Sequence, residues 1–224
     1  MKKGYFIVIE GADGTGKTTL AEKLKEKFNH NGYDAICLSD SNGTQGALNI
    51  KNTIFDKENP IKNKFSQVLM FCAARNLTVE EVIKPALEDG KIVICDRWMY
   101  TTMIYANEWY RNSSHAEFNA DLLKESCNGL YPDDMIVLIV SYNKAAERIS
   151  QREESNFYDE EKKEFHQNIN KQYFELGQIY GNLHDTSYIA PDKLAYNIYI
   201  DCISKIKRVK DLLGDNFYIK KREI

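Results

Sequence analysis

The amino-acid sequence predicts an α/β protein in which a five-stranded parallel sheet lies between two layers of helices. Short apolar runs rich in β-branched residues alternate with longer segments whose apolar residues recur at helical spacing. The first apolar run, Tyr5 to Glu10, leads directly into a glycine-rich loop, as a buried strand of a three-layer fold does. With 224 residues, 43% of them hydrophobic, the chain can build such a core without disulfides.

The glycine-rich loop is the most specific feature of the chain. Residues 11–18, GADGTGKT, fit the P-loop pattern G-x-x-x-x-G-K-[ST]. Behind the loop, Leu20, Ala21, Leu24 and Phe28 recur at helical spacing. A glycine-rich turn could match the pattern by chance, but strand, loop and helix in this order are the context that the pattern requires. We therefore expect a P-loop NTPase fold.

A P-loop predicts a site for ATP and Mg²⁺. Its backbone N–H groups and the N-terminus of the following helix hold phosphate oxygens. We expect Lys17 to reach the β- and γ-phosphates and the hydroxyl of Thr18 to bind Mg²⁺. The predicted ATP-binding residues are Gly11, Ala12, Asp13, Gly14, Thr15, Gly16, Lys17, Thr18 and Thr19.

The remaining strands and helices follow in alternation. We expect further strands at 34–39, 91–97, 135–140 and 187–189. We expect further helices at 47–55, 64–87, 98–110, 118–127, 141–149, 160–183 and 195–213. Because no repeat or linker interrupts this order, residues 1–214 are predicted to be one kinase domain. Residues 215–224 are predicted to be a C-terminal tail of unassigned structure.

Composition and charge exclude several classes of partner. The formal net charge of −3 disfavours binding to nucleic acid. No apolar stretch is long enough for a membrane span. The N-terminus lacks the apolar region of a signal peptide. The five cysteines include no C-x-x-C pair, so we expect buried free thiols and a reducing, cytoplasmic location.

Four further features could have functional roles, and three of them leave alternatives open when considered by themselves. Asp96, at the end of the strand predicted at 91–97, could bind Mg²⁺ or cap the strand, and the P-loop favours the metal. The neighbouring Arg97 could bind a phosphate. Arg75 could be a surface residue or could point into a cleft beside Phe71. The charged run 151–156 could be a solvated loop or a mobile lid.

Three marks together make the chain resemble thymidylate kinases, from the first strand to about residue 200. The first is Ile9-Glu10-Gly11 with the P-loop. The second is the stretch 69–75, LMFCAAR, similar to the family's apolar residues, aromatic, two alanines and arginine. The third is Asp96-Arg97-Trp98 followed by Thr101, Thr102 and Tyr105, similar to the family's D-R-[aromatic]-x-x-[ST] segment.

The resemblance implies a role for each matching residue in acceptor binding. Phe71 is expected to stack on a pyrimidine base, and Arg75 to hydrogen-bond its carbonyl. Arg97 is expected to bind the acceptor phosphate. Thr102 is expected near the base, and Tyr105 against the sugar, where a ribose 2′-hydroxyl would otherwise lie.

The arginines and the loop after the second strand distinguish variants within the family. The P-loop has no arginine, whereas Arg148 and Arg152 fall in the expected lid, about residues 148–160. This arrangement is similar to the bacterial lid-arginine style. Residues 39–44, SDSNGT, replace the usual R-E-P-G-G-T. Asp40 then stands where glutamate is usual, and the change affects the expected identity of the acceptor.

The sequence as a whole predicts a nucleoside monophosphate kinase that moves the γ-phosphoryl group of MgATP to dTMP. We expect Lys17, Arg97, Arg148 and Arg152 to act in catalysis, with Thr18 and Asp96 at the metal. The alternatives are another acceptor, namely a modified deoxyuridylate, another nucleotide or a nucleoside, and a P-loop regulatory protein. The resemblance also implies a homodimer, for which the apolar stretch 65–74 could supply an interface.

Overall fold

The computed structural model describes residues 2–110, 120–151 and 161–221. Its strands are β1 (Lys2–Lys3), β2 (Tyr5–Gly11), β3 (Ala35–Ser39), β4 (Ile92–Asp96), β5 (Asp134–Ile139), β6 (Leu183–Asp185) and β7 (Phe217–Tyr218). Its helices are α1 (Lys17–His30), α2 (Gln45–Ile54), α3 (Lys64–Thr78), α4 (Lys84–Glu88), α5 (Met99–Tyr110), α6 (Ala120–Ser126), α7 (Tyr142–Ser150), α8 (Lys163–Tyr180) and α9 (Pro191–Leu213). A π-helical turn, Val79–Ile83, joins α3 to α4.

The central sheet is five-stranded and parallel, in the order β3-β4-β2-β5-β6, which confirms the predicted fold class. Strand β2 lies in the middle and is buried along its whole length. In register, Ile9 lies beside Asp96 of β4, and Gly11 lies beside Leu138 of β5. The end of β2 therefore delivers the P-loop to the carboxyl edge of the sheet, where ligands bind in open α/β folds.

The two helical layers bury alternate residues of the same strand. Phe6 and Val8 face a core that includes Val68 of α3 and Tyr173 of α8. The intervening residues of β2 face a second core, formed with α1 and α9. This period of two is the expected pattern for a strand that is covered on both faces.

The fifth strand lies earlier in the chain than predicted, at Leu183–Asp185 rather than at 187–189. Helix α8 ends at Tyr180 because Gly181 takes the left-handed conformation of a helix C-cap, with φ +70°. The chain then pairs with β5 at once, through Val137 and Leu183. Tyr188, in the predicted strand, is instead fully exposed.

The C-terminal segment packs onto the body of the protein. Phe217 is buried in the core between β2, α1 and α9, and strand β7 pairs with β1. The ammonium group of Lys220 donates to Asp89 across 2.7 Å. The residues set apart as a tail by the sequence thus include a core side chain and a strand.

Within the described ranges, none of the helices combines the length and apolar character needed to cross a membrane.

Candidate active site

The P-loop curls tightly between β2 and α1 because two of its glycines take left-handed conformations. Gly14 has φ +79° and Gly16 has φ +90°. A Cβ on Gly14 would lie 2.9 Å from Ala145, whereas one on Gly16 would meet nothing and would project into open space. Gly16 is the N-cap of α1 and offers no side-chain cap. The first N–H groups of α1, at Lys17 and Thr18, therefore lack an intrahelical partner and can bind phosphate oxygens.

Lys17 is held at the mouth of this loop. Its side chain is buried, and its ammonium group donates to the carbonyl of Ala12 across 2.8 Å. Burial and the nearby charge of Arg97 lower the pKa of Lys17 to about 8, although Asp96 opposes the shift. A triphosphate would restore a negative partner to this amine, as expected for a phosphate-binding lysine.

Asp96 and Thr18 meet at the carboxyl edge of the sheet, as a Mg²⁺ site requires. The hydroxyl of Thr18 donates to Oδ2 of Asp96 across 2.6 Å. Oδ1 of Asp96 is buried and has no hydrogen-bond partner among the described residues. An unsatisfied carboxylate oxygen beside a threonine hydroxyl fits Mg²⁺, which prefers such oxygen ligands.

Arg97 projects over the P-loop from the segment that follows β4. Its guanidinium forms an ion pair with Asp13 and donates to the carbonyl of Gly11 across 3.1 Å. The phenol of Tyr105 also donates to Asp13, across 3.1 Å. Arg97, Asp13 and Tyr105 thus form one cluster, and the arginine side chain is only partly covered.

A cleft of about 950 Å³ opens between the P-loop and helices α2, α3 and α5. The predicted residues that line it are Asp13, Gly16, Lys17, Thr18, Thr19, Asp40, Phe71, Asp96, Arg97, Thr102 and Tyr105. The predicted residues Gly11, Ala12, Gly14 and Thr15 form the loop behind this lining. The structure therefore brings most of the predicted donor and acceptor residues to one cavity.

Arg75 lies beneath the cleft rather than in its lining. Its guanidinium is completely buried and forms an ion pair with Asp40 at 2.8 Å. It also donates to the hydroxyls of Thr102, at 2.6 Å, and Ser126, at 3.1 Å. Asp40 and Thr102 thus stand between Arg75 and the cavity. Contact of Arg75 with a base carbonyl remains a prediction, because Asp40 and Thr102, and not Arg75, line the cleft.

Arg148 and Arg152, the two expected lid arginines, differ in what the structure describes. Arg148 lies in the last turn of α7 and donates to the carbonyl of Gly14 across 3.0 Å. It also donates to the hydroxyl and the carbonyl of Thr186, across 3.0 and 2.7 Å. Arg148 therefore braces the outer side of the P-loop. Arg152 and residues 153–160 of the expected lid lie outside the described residues.

Comparison with known proteins agrees with this geometry. A model of the thymidylate kinase family matches residues 9–186. The chain belongs to this family. The matched range contains the P-loop, the residues that line the cleft and both expected lid arginines.

Relatives from distant organisms share the family sequence over most of their length. The thymidylate kinase of Orientia tsutsugamushi is 32% identical over 183 residues, which cover 79% of this chain and 82% of that protein. The thymidylate kinase of Finegoldia magna is 29% identical, with 91% and 98% covered. A probable thymidylate kinase of Pyrococcus abyssi is 30% identical, with 95% and 99% covered.

Several residues of this family member's cleft were missed by the sequence reasoning. Lys51 and Phe55 of the α2 region line the cavity, as does Trp109 of α5. Leu48, Lys51 and Phe55 recur at helical spacing, so one face of α2 could have been recognised as a cleft wall. Glu10, a carboxylate inside an otherwise apolar strand, was another signal of this kind.

Proposed function

We propose that this chain transfers the γ-phosphoryl group of MgATP to dTMP, giving dTDP and ADP. The observation that carries the proposal is the cleft, in which the P-loop Lys17 faces an aromatic and cationic wall of Phe71, Arg97 and Tyr105. A donor phosphate site and a nucleotide-sized cavity share one opening. This arrangement suits direct transfer between two bound nucleotides.

The residues present can neutralise the charge that spreads over the transferred group. Lys17 and Arg97 supply two cations on the donor and acceptor sides of the cleft. Thr18 and Asp96 would hold Mg²⁺, which screens phosphate charge when it is bound. An acceptor phosphate is already ionised at neutral pH, so the reaction requires no strong general base.

The acceptor side of the cleft supports a pyrimidine deoxynucleotide. The ring of Phe71 lies 6.0 Å from that of Phe55, in an edge-on arrangement that holds the Phe71 ring for stacking on a base. Tyr105 is held by Asp13 in the cleft lining, and the family resemblance places it against the sugar, where a ribose 2′-hydroxyl would otherwise lie. A P-loop regulatory protein would not need the wall formed by Phe71, Arg97 and Tyr105.

The composition of the loop at residues 39–44 is compatible with an acceptor other than dTMP. Ser39, Asp40, Ser41 and Asn42 line the cleft, and the segment contains no cation. Asp40 is instead tied to the buried Arg75. A modified deoxyuridylate, another nucleotide or a deoxynucleoside is therefore the alternative acceptor on the same chemistry.

Arg97→Ala should weaken binding of dTMP about 10- to 100-fold and binding of ATP clearly less, because Arg97 also contacts the P-loop at Gly11 and Asp13. A lost charge-assisted contact is worth on the order of 1.5–3 kcal/mol, and Arg97 faces the acceptor side. Calorimetric titration with each nucleotide measures both constants. Arg208→Ala, an exposed arginine of α9, is the matched control and should change neither. Equal losses for both nucleotides in Arg97→Ala would assign Arg97 to the donor or to the fold.

We also propose that the protein is a cytoplasmic homodimer. All five cysteines are free, which favours a reducing compartment. Phe65 and Leu69, one turn apart on α3, are 50% and 42% exposed and offer an apolar face to a second copy. Light scattering should give twice the chain mass of 25.9 kDa. A mass of one chain at micromolar concentration would exclude the dimer.

A further inference from the structure

A carboxylate with no assigned role is buried directly beneath the acceptor cation. Glu10, near the end of β2, is completely covered. One of its oxygens accepts hydrogen bonds from the backbone N–H groups of Trp98, at 3.0 Å, and Thr101, at 3.1 Å. The other accepts from the hydroxyl of Thr101, at 2.6 Å, and lies 3.4 Å from the hydroxyl of Tyr173, which is closer to that of Thr101, at 2.8 Å. Both oxygens of this carboxylate therefore accept hydrogen bonds from the segment 98–101.

The two backbone donors belong to the segment that carries Arg97. The N–H groups of Trp98 and Thr101 lie at the start of α5, and that of Thr101 also reaches the Trp98 carbonyl, at 3.1 Å. Glu10 satisfies them from the neighbouring strand and places a negative charge at the helix N-terminus, where it is favourable. Arg97, one residue earlier, has φ +75°, a conformation that costs a non-glycine residue of order 1–3 kcal/mol. The contacts of Glu10 help to hold the chain in this unfavourable turn.

The hydroxyl of Thr101, which donates to Glu10, and that of Tyr173, 2.8 Å from it, connect Glu10 to the guanidinium of Arg97 itself. One terminal nitrogen of Arg97 lies 3.3 Å from the hydroxyl of Thr101 and 3.4 Å from that of Tyr173. Because the Thr101 hydroxyl gives its hydrogen to Glu10, its lone pairs are left to accept from Arg97. The carboxylate thus sets the direction in which the hydroxyls donate.

We infer that Glu10 is the positioning residue for Arg97, which it aligns toward the acceptor through the Thr101 and Tyr173 hydroxyls and the start of α5. The inference rests on the proposed function, in which Arg97 binds the acceptor phosphate. Glu10 itself is not among the residues that line the cleft.

The chemistry of the site requires a carboxylate and not merely a polar side chain of the same shape. Glutamine has one acceptor oxygen, and its NH₂ group must donate. Facing Thr101, that group would turn the threonine hydroxyl around and direct its hydrogen at the N–H of Arg97. Burial raises the pKa of Glu10 to about 7, which hydrogen bonds from Thr101 and the charge of Arg97 oppose. A buried carboxylate with these donors and this cation beside it is consistent with a role in the site.

Glu10→Gln tests the inference because it changes the donor pattern with almost no change in volume. We expect the KM for dTMP to rise at least tenfold while the dissociation constant for ATP changes less than twofold. Asp134→Asn is the matched control: Asp134 is also buried and hydrogen-bonded, to Lys205 and Asn182, but lies outside the cleft. Asp134→Asn should lower the melting temperature and leave the KM for dTMP unchanged. If Glu10→Gln behaves in the same way, Glu10 has only a structural role.

Two further sets of variants distinguish a failure of the inference about Glu10 from a failure of the role proposed for Arg97. In the Arg97→Ala background, Glu10→Gln should add less than a twofold change in KM, because its effect acts through Arg97. Full additivity would overturn the inference. If Arg97→Ala alone leaves dTMP binding intact, the proposed function fails first. If Glu10→Gln does not fold, Thr101→Val and Tyr173→Phe replace it. Each should raise the KM for dTMP at least threefold, and unchanged values would contradict the inference.

Discussion

Lys17→Ala should lower kcat by at least about 10³-fold. The ammonium group of Lys17 lies at the mouth of the P-loop, 2.8 Å from the Ala12 carbonyl, where it can turn to the transferring phosphate. The substitution should not destabilise the folded protein. Since burial lowers the pKa of Lys17 to about 8, the charged amine disfavours the folded state below that pH. The variant should therefore melt at the same temperature as the parent or higher.

Steady-state kinetics and circular dichroism on one sample check this prediction. Lys25→Ala is the matched control, because Lys25 is on the same helix and pairs with Glu22 at the surface. It should keep full activity. Near-normal turnover in Lys17→Ala would contradict the assignment of residues 11–18 as the ATP phosphate site.

Arg152→Ala should lower kcat by about 10³-fold with little change in the dissociation constant for ATP. The cleft already has Lys17 and Arg97, but the transferred group develops charge that an additional arginine can stabilise, an effect that reaches 10³ or more in rate. A group that acts mainly in the transition state affects kcat rather than ground-state binding. Of the two expected lid arginines, Arg152 is the better candidate because the guanidinium of Arg148 is already engaged by Gly14 and Thr186.

Arg148→Ala provides the comparison. Its loss removes three hydrogen bonds at the outer side of the P-loop, so it should weaken ATP binding and lower the melting temperature more than it lowers kcat. Separate measurement of kcat and the ATP dissociation constant distinguishes the two arginines. If both variants keep kcat within about twofold, which corresponds to only ~0.4 kcal/mol, the charged run is a solvated loop.

The sequence predicted those parts of the site that follow from local pattern. The P-loop, the strand before it and the helix behind it obey periodicity and spacing rules that need no knowledge of distant contacts. Asp96 was found for the same reason, because an acid at the tip of a core strand lies at the ligand-binding edge of a parallel sheet. In the structure it accepts from Thr18, 78 residues away along the chain.

The features that the sequence pattern did not predict depend on contacts or conformations that only the folded chain reveals. The position of Arg75 depends on Asp40, Thr102 and Ser126, which come from three other segments of the chain. The role inferred for Glu10 likewise needs Tyr173, which lies 163 residues away. The shift of the fifth strand depended on a single residue, Gly181, whose left-handed conformation ends α8 three residues earlier than the apolar pattern suggests.

One measurement tests the central claim most directly: release of ADP in a coupled assay, with MgATP as donor and a panel of nucleoside monophosphates and deoxynucleosides as acceptors. The panel contains dTMP, dUMP, a 5-modified dUMP, UMP, dCMP, dAMP, dGMP and thymidine. We expect dTMP to give the highest kcat/KM and UMP to be a poor acceptor because of Tyr105. A preference for another deoxynucleotide would move the acceptor to the alternative permitted by residues 39–44. ADP release that no acceptor increases would contradict the kinase assignment itself.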